Sequence, residues 1–202
     1  MAVKKTSQRI LIIFAHPSMG SFNHAIAQTV LKTLESMNHL VTFYDLYRDN
    51  FNSVLPANEI RRDGYVDPRI LEYCEEVSSS DAMIFIHPNW WGMPPAILTG
   101  WIDRVIRPGV AYRFKEGDSG EGVPVGLLAG KKLIVLNTSD TPDEREKELF
   151  GDPLERIWKN CICDFCGITD YHRRVFNIVV TSTFEQRRQW LGDVERMMIE
   201  HF

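Results

Sequence analysis

The stretch RILIIFAHPSMGSFNHAI, residues 9–26, decides the fold. Its first seven residues, Arg9–Ala15, form an almost unbroken apolar run. Such a run, without polar alternation, suits a β-strand covered on both faces, as strands of a parallel sheet are. The loop that follows is rich in turn and capping side chains: His16, Ser18, Gly20, Ser21 and Asn23. A helical pattern then covers Asn23–Met37, with Ala27, Val30, Leu31 and Leu34 on one stripe.

The same strand–loop–helix unit recurs along the chain. Leu40–Asp45 (LVTFYD), Ala82–His87 (AMIFIH), Lys132–Asn137 (KLIVLN) and Val175–Val180 (VFNIVV) read as four more strands. Asp67-Pro68 reads as an N-cap followed by proline at the first helical position, with Leu71, Cys74 and Val77 inward. Pro94-Pro95 starts a third helix that turns Leu98, Trp101, Ile102 and Val105 inward. Asp152-Pro153 starts a fourth, ending at Gly167. Thr183-x-x-Gln186 has the spacing of a capping box for a last helix, whose stripe is Trp190, Leu191, Val194, Met197 and Met198. Strands alternating with helices predict a three-layer α/β sandwich around a five-stranded parallel sheet of order 2-1-3-4-5. Residues 1–202 are expected to form one domain. In such sheets a ligand binds at the carboxyl ends of the strands, where the strand order reverses. The loops after residues 15, 87 and 137 are therefore the ones to read for chemistry.

Composition narrows the function class. The formal net charge is −4, so no global basic field invites nucleic acid. No apolar run approaches the ~20 residues of a membrane span. The N-terminal MAVKKTSQR lacks a signal-peptide core, and a cytoplasmic protein with no membrane insertion is expected. Three of the four cysteines, Cys161, Cys163 and Cys166, cluster as C-x-C-x-x-C. They fall at the end of a helix, where they cannot all face one point, so they read as small buried hydrophobes and no metal site is expected.

The loop after residue 15 leads into a helix start, where unpaired amides and the helix dipole favour phosphate. Ser21 and His16 add donors there, although Ser and Asn are also ordinary N-caps. The loop after residue 87 reads HPNWWGMPPAILTGWIDRVI. A turn needs Gly, Pro or Asn, but it has no need of the adjacent Trp90 and Trp91. An aromatic wall there suits a planar heteroaromatic ring, with backbone amides reaching its polar edge. Two packed core tryptophans are the other reading.

Taken in order, AHPSMGSFNHA, HPNWWGMPPAILTGWIDRV and PGVAYRF resemble the flavodoxin-like NAD(P)H:quinone oxidoreductases. The match runs to about residue 114 and resumes weakly at Phe165-Cys166-Gly167. The resemblance implies a flavin, FAD or alternatively FMN, with NAD(P)H as co-substrate and a quinone-like acceptor in a two-electron ping-pong reaction. It implies that His16, Ser18, Ser21, Phe22 and Asn23 contact the flavin phosphates. Pro88, Asn89, Trp90, Trp91 and Gly92 would border the isoalloxazine, with Met93 and Pro95 supporting that turn. Trp91, Tyr112 and Phe114 would line the catalytic pocket, one aromatic residue crossing a homodimer interface.

The loop after residue 137 departs from the family. Relatives of the mammalian type carry T-T-G-G and then a tyrosine and a histidine near the flavin carbonyl edge. Here Thr138-Ser139-Asp140-Thr141 replaces the glycine-rich turn, Phe150 stands where F-G-D places the histidine, and residues 137–150 contain no tyrosine. Thr138, Ser139, Asp140 and Thr141 remain candidates for the pyrimidine edge of the ring. The run Asp143-Glu144-Arg145-Glu146 reads as a solvated helix start. Arg107, Arg113 and Arg173 are each candidates to meet a 2′-phosphate. Three alternatives share these motifs: a one-electron flavodoxin-type carrier, a flavoprotein regulatory subunit of a membrane transporter, and a nitro- or azo-compound reductase.

Overall fold

The computed structural model describes residues 6–60, 64–115 and 122–202. Five parallel strands form the central sheet: β1 (Arg9–Phe14), β2 (Leu40–Asp45), β3 (Ala82–Pro88), β6 (Lys132–Ser139) and β7 (Asp170–Asn177). Their order is β2-β1-β3-β6-β7, the doubly wound arrangement expected from the alternation of strands and helices. A two-stranded antiparallel pair, β4 (Tyr112–Arg113) and β5 (Val125–Gly126), sits apart from this sheet and was not foreseen.

Period-two alternation sorts the strand residues into two cores. Leu11, Ile13, Met83, Phe85, Leu133 and Val135 face one side. There they meet α2 (Pro68–Ser79), α3 (Ala96–Val105) and the helix that opens as α5 (Pro153–Glu155) and continues as a π-helical stretch, Arg156–Asp164. Ile10, Ile12, Phe14, Ile84, Ile86, Ile134 and Leu136 face the other side, against α1 (Phe22–Ser36) and α6 (Phe184–His201). Trp101 and Trp158 fill the first core and are fully buried.

The helix starts follow their capping chemistry. Ser21 Oγ accepts from the His24 amide, Asp67 Oδ1 from Arg69 and Thr183 Oγ1 from Gln186. The third helix begins at Ala96 with Pro95 as its cap, and the fourth ends at Gly167 in a left-handed conformation.

Three expectations need correction. The last strand spans Asp170–Asn177, not 175–180. As the edge strand it pairs only with β6, so a continuous apolar run is not required of it. Its polar first half, Asp170–Arg174, is held by side-chain bonds, and the chain leaves the sheet after Asn177. In α2 the inward face is Ile70, Tyr73, Cys74 and Val77, while Leu71 is 52% exposed. The acidic run does form a helix, α4 (Asp143–Glu148), but Glu146 is buried.

Of the three clustered cysteines expected to be buried, Cys163 and Cys166 are, whereas Cys161 is exposed. Among the described residues no group of His, Cys, Asp or Glu is placed to hold a metal ion, and no helix is long and apolar enough to cross a membrane.

Candidate functional site

Strands β1, β3 and β6 end side by side, and three loops leave their carboxyl ends. The first loop winds tightly into α1. The Ser18 amide donates to His16 Nδ1 at 3.0 Å, the Gly20 amide to Ser18 Oγ at 3.3 Å, and the Ser21 amide to the Ser18 carbonyl at 3.2 Å. Burial lowers the pKa of His16, a shift its bond to the Ser18 backbone opposes. Ser21 caps His24, so the amides of Phe22 and Asn23 open the helix with no intrahelical acceptor.

The second loop makes an unusual turn. Trp90 and Met93 exchange two backbone hydrogen bonds, each 3.0 Å, and the residues between them, Trp91 and Gly92, have φ of +58° and +74°. Positive φ at both central positions is the geometry for which Asn-Gly is preferred. Tryptophan in that region is strained by about 1–3 kcal/mol. Gly92 is needed twice over: its φ is positive, and a Cβ there would lie 3.0 Å from Pro153 Cγ. Trp91 gains nothing from packing, because it is 97% exposed. Strain and exposure together make Trp91 a candidate wall of a ligand site.

Asn89 clamps this turn. Its amide donates to the Thr138 carbonyl at 2.7 Å, its Oδ1 accepts from the Gly92 amide at 2.9 Å, and its Nδ2 donates to Glu146 Oε1 at 3.0 Å. Below the turn, His87 is fully buried. Its Nδ1–H donates to the Pro88 carbonyl at 2.8 Å, and its Nε2 accepts from Trp158 Nε1 at 3.1 Å. That pairing needs the neutral imidazole, and burial pushes its pKa down to about 4. The unfolded chain takes up this proton near pH 6.5, whereas the folded chain resists until about pH 4. Stability is therefore full above pH 6.5, falls as pH drops toward 4, and levels below, for a total near 3 kcal/mol. Urea midpoints at pH 7, 5.5 and 4.5 measure the slope, and His87→Gln is expected to flatten it. Equal slopes in both proteins would place the acid sensitivity elsewhere.

In the third loop Ser139 Oγ accepts from the Thr141 amide at 3.1 Å, and Asp140 Oδ1 accepts from the Val180 amide at 2.8 Å. Asn23 reaches across from α1, and its Nδ2 donates to Thr138 Oγ1 at 2.7 Å. Its Oδ1 is buried without a partner, an orphaned acceptor beside the loops.

These loops enclose two adjoining cavities. One, of about 360 Å³, lies over the α1 N-terminus and brings together His16, Ser21, Phe22, Asn23, Pro88, Asn89, Trp90, Thr138, Ser139 and Asp140. The other, of about 630 Å³, lies beside Trp91 and Gly92 and is closed by Arg145, Glu146, Phe150 and Pro153. Asn89 and Thr141 line both. Ser18 lines neither and shapes the loop from behind.

Tyr112 and Phe114 are not brought to Trp91 within the chain. Tyr112 packs edge-on against Phe165, with ring centroids 4.7 Å apart, and lines a separate groove of about 480 Å³ with Leu71 and Arg107. Arg173 is unavailable to a 2′-phosphate, because its Nη1 donates to both Asp152 carboxylate oxygens at 2.8 Å and its Nε to Asn137 Oδ1 at 2.9 Å. Glu146, Arg145 and Pro153 went unrecognised as lining residues. Their only signal in sequence was closeness to the F-G-D segment.

The sequence model described as Flavodoxin-like fold matches residues 8–195. An uncharacterized NAD(P)H oxidoreductase of Haemophilus influenzae is 34% identical over 170 residues, 82% of each chain. Ribosyldihydronicotinamide dehydrogenase [quinone] of Rattus norvegicus is 32% identical, covering 94% of this chain and 90% of its own. Among solved structures, NAD(P)H:quinone oxidoreductase from Methanothermobacter marburgensis superposes with a TM-score of 0.82 at 25% identity, over 96% of this chain and 98% of that one.

Proposed function

The chain belongs to the flavodoxin-like fold family, and from that premise we propose that it is a flavin-dependent NAD(P)H oxidoreductase that passes two electrons to a quinone-like acceptor. One observation carries the reading. A strained, exposed tryptophan walls a cavity that shares Asn89 and Thr141 with a second cavity over unpaired helix amides. A flat ring with a phosphate tail has that shape and polarity.

The residues present fit such a group. The amides of Phe22 and Asn23, with the Ser21 hydroxyl and the His16 imidazole, would hold the phosphate end. Asn23 Oδ1, orphaned in the chain alone, would accept from a hydroxyl of the sugar chain between ring and phosphate, not from the phosphate itself. Asn89, Trp90 and the Thr138–Thr141 loop would border the ring, and Trp91 would cover it. When bound, the flavin supplies acceptance and return of a hydride. The chain's part is position. The Asn89 clamp fixes the turn, and neutral His87 fixes the Pro88 carbonyl beneath it.

FAD is the first reading for the cofactor and FMN the second; both place a phosphate on the α1 amides. We also propose a homodimer, in which Tyr112 and Phe114 of one protomer complete the cavity of its partner. Their separation from Trp91 within one chain supports this. Residues 1–202 then act as one cytoplasmic domain.

Purified chain is expected to be yellow, to release FAD or FMN identifiable by mass, and to oxidise NADH or NADPH when menadione is added. Flavin-saturated protein that leaves both nucleotides untouched with every quinone tried refutes the reading.

A further inference from the structure

Only two of the residues lining the 630 Å³ cavity beside Trp91 are charged, Arg145 and Glu146. They are neighbours on α4, yet they are held differently. Glu146 is buried and accepts from Asn89. Arg145 is exposed at the cavity wall, with its guanidinium carbon 5.5 Å from the centroid of Phe150. It makes no ion pair among the described residues, although α4 also carries Asp143, Glu144 and Glu148. Lys147, two residues on, does pair, with Asp143 at 2.6 Å. A guanidinium lying on an aromatic face beside a cavity, unpaired in an acidic helix, is a cation kept for something that enters the cavity.

The reaction creates a demand for such a cation. A hydride carries two electrons and one proton. When NAD(P)H gives it up, the nicotinamide leaves as a cation and the accepting ring gains one negative charge. When the quinone takes the hydride, together with a proton from solvent, hydroquinone forms and the ring loses that charge. A fixed cation beside the ring stabilises the charged stage, whereas the Glu146 carboxylate opposes it. In this loop Phe150 carries Arg145 on its face, beside the cavity.

We propose that Arg145, seated on Phe150, is the residue that stabilises the reduced flavin, and that Glu146 sets the counterbalance. The proposal rests on the flavin reading above and deepens it. It makes the two neighbours act with opposite sign, which a role in packing does not.

The test is the midpoint potential of the flavin-loaded protein, set with a chemical reductant and a reference dye so that no nicotinamide is needed. Arg145→Met is expected to lower the equilibrium ratio of reduced to oxidised flavin about tenfold, or about 30 mV for a two-electron couple. Arg145→Lys is expected to restore most of it. Glu146→Gln keeps an acceptor for Asn89 and is expected to move the potential upward. An unchanged potential in Arg145→Met overturns the proposal, and a raised KM for NAD(P)H alongside it would assign Arg145 to the donor's phosphates. Shifts of the same sign in Arg145→Met and Glu146→Gln also overturn it. Wild-type protein that binds no flavin fails the functional reading instead, a result separate from all of these.

Discussion

Arg104→Met is expected to destabilise the fold by about 3–5 kcal/mol, the cost of leaving one member of a buried ion pair without the other. Arg104 Nε and Nη2 donate to the two oxygens of Glu59 at 2.9 and 2.5 Å, and both side chains are almost wholly buried. Arg104 Nη1 also donates to the Asn52 carbonyl at 2.6 Å, and Arg107 reaches the Glu59 carbonyl at 3.2 Å. The hydrogen bonds from Arg104 hold the Glu59 carboxyl below its usual pKa. Methionine matches much of the arginine stem but satisfies none of these acceptors, so a charged carboxylate would remain in the interior. The pair ties the 50s loop to α3. On the same helix a Cβ at Gly100 would lie 2.1 Å from the Ser53 carbonyl oxygen, which shows how closely that loop approaches. Because α3 begins four residues after Gly92, loosening it is expected to weaken flavin binding as well. Chemical denaturation of Arg104→Met and of the double variant Glu59→Leu/Arg104→Met decides the point. The double variant should recover much of the loss. A single-variant loss under about 1 kcal/mol would show that water reaches Glu59.

Much of the fold was legible in sequence because this sheet is covered on both faces. β1, β3 and β6 are central strands, and each reads as the apolar run that double burial requires. The caps at Asp67 and Thr183 were legible for the same kind of reason, since each is a local bond between a side chain and an amide two or three residues on. The edge strand was misplaced because its polar half draws its partners from distant sequence. Arg173 bonds Asn137 and Asp152, 36 and 21 residues away, and no local pattern reports this. The site divides along the same line. The helix-start residues and the tryptophan turn were readable, since unusual residue types stood at a strand end. Arg145 and Glu146 were hidden in a helix whose sequence matches any solvated acidic helix. Their place in the cavity comes from the Asn89 clamp and the Phe150 ring, both tertiary contacts.

Trp91→Gly is expected to separate the cost of the turn from the use of the ring. The tryptophan is held at φ +58° and is 97% exposed, so its removal forfeits almost no packing. Glycine adopts that backbone without strain, and the free protein should be as stable as wild type or about 1 kcal/mol more stable. Trp91→Ala keeps a Cβ at positive φ and should fall short of glycine. Flavin affinity moves the other way. Aromatic stacking on a flat heterocycle contributes about 1–3 kcal/mol, so both variants should bind flavin about 10–100-fold more weakly. Turnover under saturating flavin should fall by about 100-fold, since a ring free to tilt no longer holds the reacting atoms in line. Denaturation midpoints of the flavin-free proteins, flavin titrations and steady-state rates give the three numbers. A trade of stability against function has one physical meaning here: the strained tryptophan persists because of the ligand it meets. If Trp91→Gly lowers stability and leaves flavin affinity unchanged, the indole is a structural prop and the wall of the cavity must be assigned elsewhere.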